Sequence, residues 1–164
     1  MKSKQILMYG LLSFLAACVL ALYVYFFGHL EEQTPNETIQ SYILSLQVQD
    51  FDTIYDLMSK ESIEQTGWTR EQFVQKYKSI FSGMEVSEII VKAGTPIKSA
   101  ETSDYTVEYS AQIKTMTGEI YENYKLKLIQ EKNDQGAIWK IEWQPTLILP
   151  DMTQGDKVKV HVIG

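Results

Sequence analysis

The chain opens with one uncharged apolar run and then changes to amphipathic patterns. No charged residue occurs in Ile6–Phe27, and as an α-helix this run would be about 33 Å long, enough to cross a hydrocarbon core of about 30 Å. Two lysines precede the run, and Glu31 and Glu32 follow it. The positive-inside rule therefore predicts residues 1–5 in the cytoplasm, a transmembrane anchor or signal segment over residues 6–28, and a folded body outside.

A bacterial lipoprotein signal is an alternative interpretation of the same run. Leu15-Ala16-Ala17-Cys18 matches the pattern in which the cysteine is acylated and becomes the mature N-terminus. The residues after Cys18 stay apolar instead of forming a polar tether, which favours the uncleaved anchor. Cys18 is thus a candidate lipidation site, and both interpretations place the body at the outer surface of the cell membrane.

Three segments with helical spacing follow a short linker at residues 29–34. Thr34-Pro35-Asn36-Glu37 joins a capping threonine to a proline and a glutamate, and it predicts a first helix over residues 35–49. Aspartates predict the start of a second helix, over residues 50–59. A second capping box begins a third helix, over residues 69–83, which Gly83 ends.

Beyond the helices the hydrophobic period changes to two. Apolar residues alternate with polar ones in Tyr105–Ile113, and Tyr124–Leu128 continue the alternation on a returning strand. A last strand places three large side chains on one face, namely Trp139, Ile141 and Trp143. With residues 86–98 added, the pattern predicts a four-stranded antiparallel meander.

Helices followed by hairpin-linked strands predict an α+β domain over residues 35–150, with about three helices packed on one face of a curved four-stranded sheet. The expected core side chains are Phe73, Tyr77, Tyr109, Tyr124, Trp139, Ile141 and Trp143. Residues 151–164 end in an alternation of valines, which predicts an exit strand leading away from the domain.

Composition and charge then exclude several classes of function. The 15 Lys and Arg face 21 Asp and Glu, for a net charge of -6, and no basic stripe stands out, so nucleic acid is not an expected partner. The single cysteine lies in the apolar run, and His29 and His161 are the only histidines. Without nucleotide-binding loops either, the sequence predicts no catalytic, cofactor or metal site.

One catalytic alternative stays open on the predicted sheet. A cone of helices and strands can enclose a pocket in which an acid and a tyrosine act, and Glu122, Tyr109 and Tyr124 would be the candidates. Glu122 is in phase with Tyr124, hence inward, unless a bulge near Asn123 or a place at the rim exposes it. An open cavity lined by Glu122 and a free tyrosine would indicate a stand-alone small-molecule binder or enzyme, and a filled one a spacer.

Several segments resemble the MecA-type N-terminal domain of class B penicillin-binding proteins. They are Tyr55-Asp56-Leu57-Met58-Ser59, Phe73-Val74-Gln75-Lys76-Tyr77, Trp139-Lys140-Ile141-Glu142-Trp143-Gln144-Pro145, Leu147-Ile148-Leu149-Pro150 and Gly155-Asp156-Lys157-Val158. The order of tryptophans, prolines and Gly-Asp-Lys-Val is the specific part of this resemblance. It implies a cone of the nuclear-transport-factor type, in agreement with the α+β pattern.

In that family the domain is a spacer that lifts a transpeptidase from the membrane toward the peptidoglycan. The resemblance implies a non-catalytic domain, linked to cell-wall synthesis and the β-lactam response of a Gram-positive cell. Its implied partners are the lipid bilayer, a C-terminal transpeptidase domain or other cell-wall synthesis proteins, and peptidoglycan. The family's Ser-x-x-Lys, Ser-x-Asn and Lys-Thr-Gly elements do not occur in this sequence, so penicillin acylation is not expected of these residues.

Overall fold

A computed structural model describes most of the chain. The described residues are 15–23, 33–133, 136–153 and 155–156. The chain divides into two compact units, Met1–Glu32 and Gln33–Gly164.

In the first unit, residues 15–23 are helical and exposed. No helix among the described residues is both long and apolar enough to cross a membrane. The rest of the anchor expected at residues 6–28, the short N-terminal segment before it and most of the linker lie outside the described residues. Most of the exit strand expected at residues 151–164 lies outside them too.

Four α-helices begin the second unit. They are α1 (Pro35–Gln47), α2 (Phe51–Leu57), α3 (Lys60–Glu64) and α4 (Arg70–Gly83). Both predicted capping boxes form, at Thr34 before α1 and at Thr69 before α4. Helix α1 is shorter than predicted because Gln49 turns into the left-handed region, with φ of 55°, and its side-chain amide donates to the Val86 carbonyl over 3.2 Å.

The prediction of three helices was wrong, because the segment expected as one helix over residues 50–59 breaks at Met58. The backbone of Met58 is extended, and Met58 forms a parallel bridge with Ile141. The Ser59 amide donates to the Ile141 carbonyl over 2.7 Å. The Ser59 hydroxyl accepts from the Ser62 amide and so begins α3. The extended segment at this break therefore pairs with the end of the strand that contains Ile141, whose edge would otherwise be unpaired.

The strands form one curled antiparallel sheet. They are β1 (Glu88–Ala93), β2 (Ile97–Lys98), β3 (Tyr105–Thr115), β4 (Gly118–Asn133) and β5 (Gly136–Ile141). The order is β1-β3-β4-β5, and β2 also pairs with β3.

The prediction of four strands was wrong, because the strand expected over residues 86–98 divides into β1 and β2. The amide of Gly94 still donates to the Glu108 carbonyl over 2.9 Å. A side chain at Gly94 would lie only 3.2 Å from that carbonyl oxygen. Pro96 has no amide hydrogen for the ladder, so pairing is interrupted there and resumes at Ile97.

The chain leaves the sheet earlier than predicted. Strand β5 ends at Ile141, so Trp143 is not on a strand. A 3₁₀-helix, Pro145–Leu147, follows and turns the chain back into the core. Leu147, Ile148 and Met152 are buried there, so core packing continues two residues beyond residue 150.

The helices cover one face of the sheet, as the α+β prediction and the nuclear-transport-factor-like cone require. Helix α1 runs along the sheet and defines two ends of the domain. At the proximal end, its first turn lies beside β5, where the Thr38 hydroxyl donates to the Trp139 carbonyl over 3.3 Å. At the distal end, Gln49 contacts Val86 and the Met116 amide donates to the Met84 carbonyl.

Candidate functional site

The candidate site predicted from the sequence lies on the inner face of β3 and β4. Tyr109 is paired with Tyr124 across the two strands, and their rings stack with centroids 4.8 Å apart and planes 8° apart. The pairing of β3 with β4 is continuous from Tyr105 to Thr115. No bulge therefore occurs near Asn123, and the inward phase of the alternation is preserved along the whole ladder.

Helix α1 supplies the side chain that occupies the space above these rings. The apolar stripe of α1 faces the sheet, and within it Tyr42 is fully buried. The Tyr42 and Tyr109 hydroxyls lie 3.2 Å apart and share a hydrogen bond. Their rings meet edge to face at 6.0 Å. The Tyr109 hydroxyl is thus engaged by another tyrosine, and Tyr109 and Tyr124 also line a surface groove of about 620 Å³.

Burial also fixes the protonation of these hydroxyls. Removal from water, followed by the proximity of Tyr109, raises the pKa of Tyr42 well above its usual value. Burial likewise raises the pKa of Tyr109, and that of Tyr124, where the charge of Glu122 adds a smaller increase. All three tyrosines are therefore neutral near pH 7 and are poor general bases.

Glu122 lies apart from the paired hydroxyls. It is half-buried opposite Ala111 and lines a surface groove of about 310 Å³. The other residues of that groove are Ile90, Lys92, Ser110, Ala111, Gln112, Tyr121 and Asn123. Neither Tyr109 nor Tyr124 lines it. The acid and the tyrosines that a catalytic cone would require thus line two neighbouring grooves and not the same one.

A second aromatic cluster fills the interior between α4 and the segment after β5. The indole Nε1 of Trp143 donates to the Tyr77 hydroxyl over 3.1 Å, and the Trp143 amide donates to the Ser62 hydroxyl over 2.9 Å. Phe73 stacks at a tilt on Tyr77, with centroids 4.7 Å apart. Burial raises the pKa of Tyr77 well above its usual value. Trp143 and Tyr77 thus act together as a packed, hydrogen-bonded unit.

The remaining predicted core residues lie at different depths. Ile141 is fully buried, whereas Trp139 is only half-buried. The Trp139 ring meets the ring of Tyr105 edge to face, with centroids 5.1 Å apart. Trp139 therefore lies at the margin of the core, at the proximal end.

Every buried side-chain nitrogen and oxygen found among the described residues has a hydrogen-bond partner. Those residues include no cluster of three metal-ligating side chains. The candidate lipidation site, Cys18, is exposed within residues 15–23.

One ion cluster was missed by the sequence reasoning. The Arg70 guanidinium on α4 donates to the Asp52 carboxylate over 3.1 Å, and it also pairs with the Asp56 carboxylate. It lies 5.2 Å above the Tyr55 ring. The hydrogen bonds to Asp56 and then Asp52 raise the pKa of Arg70. The i,i+4 spacing of Asp52 and Asp56 was the available signal, and the cluster holds α2 against α4.

The structure is thus an α+β cone whose interior is occupied by its own aromatic side chains. The family model described as the NTF2-like N-terminal transpeptidase domain matches residues 34–156. The chain therefore belongs to the NTF2-like N-terminal transpeptidase domain family, and the resemblance noted in the sequence is confirmed.

Two individual proteins are similar to this chain. Penicillin-binding protein 3 of Bacillus subtilis (strain 168) is 23% identical over 138 residues, which are 83% of this chain and 20% of that protein. The chain thus spans about a fifth of that relative's length. The crystal structure of a sec-c motif containing protein from Psychrobacter arcticus is 12% identical, with a TM-score of 0.48 over 77% of this chain and 63% of that one.

Proposed function

We propose that this domain is a non-catalytic spacer and interaction module of a penicillin-binding-protein type of protein, held at the outer face of the cell membrane. It acts in cell-wall synthesis, and through that process in the response to β-lactams. The observation that carries the proposal is the shared hydrogen bond between the Tyr42 and Tyr109 hydroxyls, 3.2 Å apart. This bond occupies the Tyr109 hydroxyl, which would have to be free in a catalytic cone.

A spacer requires a rigid body, and the packing supports one. The aromatic side chains of α1, α4 and the segment after β5 contact one another throughout the interior, which gives the domain little room to deform. Arg70 ties α2 to α4, and Ser59 ties the break before α3 to β5. A rigid body of this kind holds an attached domain at a fixed position and needs no reactive groups.

A spacer also requires a fixed direction of exit, and the last described residues are attached to α4. The Lys76 ammonium donates to the Asp156 carbonyl over 2.9 Å. The Thr153 amide donates to the Asp156 carboxylate over 2.7 Å, and this contact lowers the pKa of Asp156. With Met152 buried just before them, these contacts orient whatever follows Asp156.

The partners follow from the family and from the relative's printed name. We propose that the domain positions a transpeptidase domain, in the same or another polypeptide, or other cell-wall synthesis proteins, and that it lies close to peptidoglycan. The apolar segment at residues 6–28 anchors it in the lipid bilayer with the N-terminus inside. Acylation of Cys18 is the alternative anchor, and it leaves the domain on the same side.

Cysteine labelling in intact cells tests this placement. In a Cys18→Ser background, Thr117→Cys puts a thiol on the exposed turn between β3 and β4, and Ser3→Cys puts one before the anchor. A membrane-impermeant maleimide is expected to label position 117 in intact cells and position 3 only after permeabilisation. Labelling of position 3 alone in intact cells would overturn the proposal. Mass spectrometry of the membrane-bound wild-type chain decides between an intact N-terminus and an acylated Cys18.

A further inference from the structure

The two edges of the sheet differ in how they are covered. At one edge, the extended backbone at Met58 forms a parallel bridge with Ile141, the last residue of β5. At the other edge, β1 pairs with β3, and no strand within the described ranges lies on its outer side. The sequence of β1 is Glu-Ile-Ile-Val-Lys-Ala, which is mostly apolar and contains no proline. The β1 edge therefore has backbone groups that another strand can pair with.

The ladder to β3 shows which backbone groups of β1 point away from the sheet. In an antiparallel pair, every second residue directs both its N–H and its C=O toward the partner strand. The Gly94 amide donates to the Glu108 carbonyl over 2.9 Å, so the even-numbered residues 88 to 94 direct these groups toward β3. The odd-numbered residues, among them Ile89 and Val91, therefore direct theirs toward the open side.

This backbone pattern is self-complementary. When a second copy of β1 lies antiparallel to the first, with the two Ile90 residues opposite each other, Ile89 faces Val91 of the second copy. Both residues direct their backbone groups outward, so each such pair can exchange two hydrogen bonds. A shift by one residue would place outward-directed groups opposite residues that already bond to β3, and those hydrogen bonds would be lost.

The side chains favour the same register. Glu88, which pairs with the Lys114 ammonium, and the exposed Lys92 lie on the outer face of the sheet, with Ile90 between them. In this arrangement Glu88 lies opposite Lys92 of the second copy, once on each side of the Ile90 pair. Opposite charges in directly facing positions stabilise a strand pair. A shift by two residues in either direction separates these charges, so only one register satisfies both the hydrogen bonds and the charges.

We propose that two copies of this chain associate through their β1 edges and join their sheets into one continuous antiparallel sheet. A lysine alone would discourage pairing at an edge, but here each Lys92 meets Glu88 of the other copy. The strand has six residues, so the contact is smaller than a standard permanent interface and the association is weak and concentration-dependent. The inference does not depend on the proposed anchoring or on the role in cell-wall synthesis.

Disulfide cross-linking of the full-length chain tests the register. In a Cys18→Ser background, Ile90→Cys places two thiols in a non-hydrogen-bonded pair, with Cα atoms about 4.5 Å apart, which is within the range that a disulfide spans. Lys92→Cys is the matched control on the same strand, because its two copies would lie about 13 Å apart. Met116→Cys lies on the turn after β3 at a residue that is 55% exposed, and it measures random collision.

Under mild oxidation, the yield of cross-linked dimer at position 90 should exceed the yields at positions 92 and 116 by about fivefold or more. A mixture of the Glu88→Cys and Lys92→Cys proteins should give a mixed dimer, although neither protein should cross-link to itself. Adding Lys92→Glu to Ile90→Cys should lower the yield by about fivefold, because two attractions become two repulsions.

Two outcomes would overturn the inference. Equal yields at positions 90, 92 and 116 would indicate collision or a contact elsewhere in the chain. The second outcome is the absence of a dimer at position 90 in a protein whose circular dichroism matches that of the Cys18→Ser parent. It would show that the β1 edge does not pair with a second copy.

Discussion

Tyr109 and Tyr105 lie on the same face of β3, four residues apart, yet their surroundings differ. Tyr109 is 3% exposed, and its hydroxyl is held by Tyr42. Tyr105 is half-buried, and its ring rests against Trp139. The difference comes from α1, which covers Tyr109 with a tyrosine and reaches the proximal end with the small side chain of Thr38. The alternation along a strand determines which face of the sheet a side chain is on, and the covering helix determines how deeply that side chain is buried.

The largest expected effect is a difference in stability between the alanine variants of Trp143 and Trp139. Trp143→Ala removes a buried indole and its hydrogen bond to Tyr77, and it should lower the free energy of unfolding by about 3–5 kcal/mol. Trp139→Ala removes a half-buried ring and should lower it by about 1–2 kcal/mol. Urea denaturation measures both. Equal losses would contradict the difference in burial between Trp143 and Trp139.

The pH dependence of stability tests the protonation of the interior. Burial raises the pKa values of four tyrosines, so the folded state retains protons that the unfolded chain loses above pH 10; they are Tyr42, Tyr77, Tyr109 and Tyr124. Their contribution to stability is therefore complete below about pH 10 and is lost as the pH rises toward the folded-state values, by about 3–4 kcal/mol in total at pH 10.5.

Urea denaturation from pH 8 to 10.5 measures directly the slope of the unfolding free energy against pH. Tyr109→Phe should reduce this slope by about a quarter, because one of four titrating groups is removed. Ile113→Val is the matched control, since it lowers stability by about 0.5–1.5 kcal/mol without removing a proton. If Tyr109→Phe leaves the slope unchanged, then Tyr109 has the same pKa in the folded and unfolded states.

A double-mutant cycle tests the hydroxyl pair itself. Tyr42→Phe leaves the buried Tyr109 hydroxyl without its partner and should cost about 1–2 kcal/mol. Adding Tyr109→Phe should cost less than it does alone, because both hydroxyls are then absent. Tyr105→Phe is the comparison, expected to cost under about 0.5 kcal/mol because no hydrogen bond of its hydroxyl occurs within the described residues. Additive losses for the pair would contradict the proposed coupling.

The smallest expected effect concerns the exposed side chain of Ile97 on β2. Ile97→Ala should change the free energy of unfolding by no more than about 0.5 kcal/mol, because the side chain is 72% exposed. Urea denaturation measures the change. A loss of several kcal/mol would show that Ile97 belongs to the core and would remove the contrast with Tyr109.

The sequence predicted much of this fold because its signals are local. The capping boxes at Thr34 and Thr69 and the strict alternation around Tyr109 form as expected. The break at Met58 was not predictable, since it depends on pairing with Ile141, which is distant in sequence. The division of the first strand had a local signal in Pro96 that the alternation outweighed.

The sequence predicted which residues belong to the candidate site better than it predicted how those residues are arranged. The inward phase of Tyr109 and Tyr124 followed from period two. Their engagement by Tyr42 did not, because a helical stripe shows which residues face the sheet and not which hydroxyls meet. Likewise, Trp143 was assigned to a strand, whereas its indole reaches Tyr77 from a segment that has already left the sheet.

Nitration of the folded protein by tetranitromethane, mapped by mass spectrometry, tests the filled interior most directly. Tyr121 is 66% exposed and should be nitrated, while Tyr42, Tyr77 and Tyr109 should remain unmodified until urea unfolds the domain. Nitration of Tyr109 in the folded protein at a rate near that of Tyr121 would reveal an open cavity. That result would favour a ligand-binding or catalytic cone over a spacer.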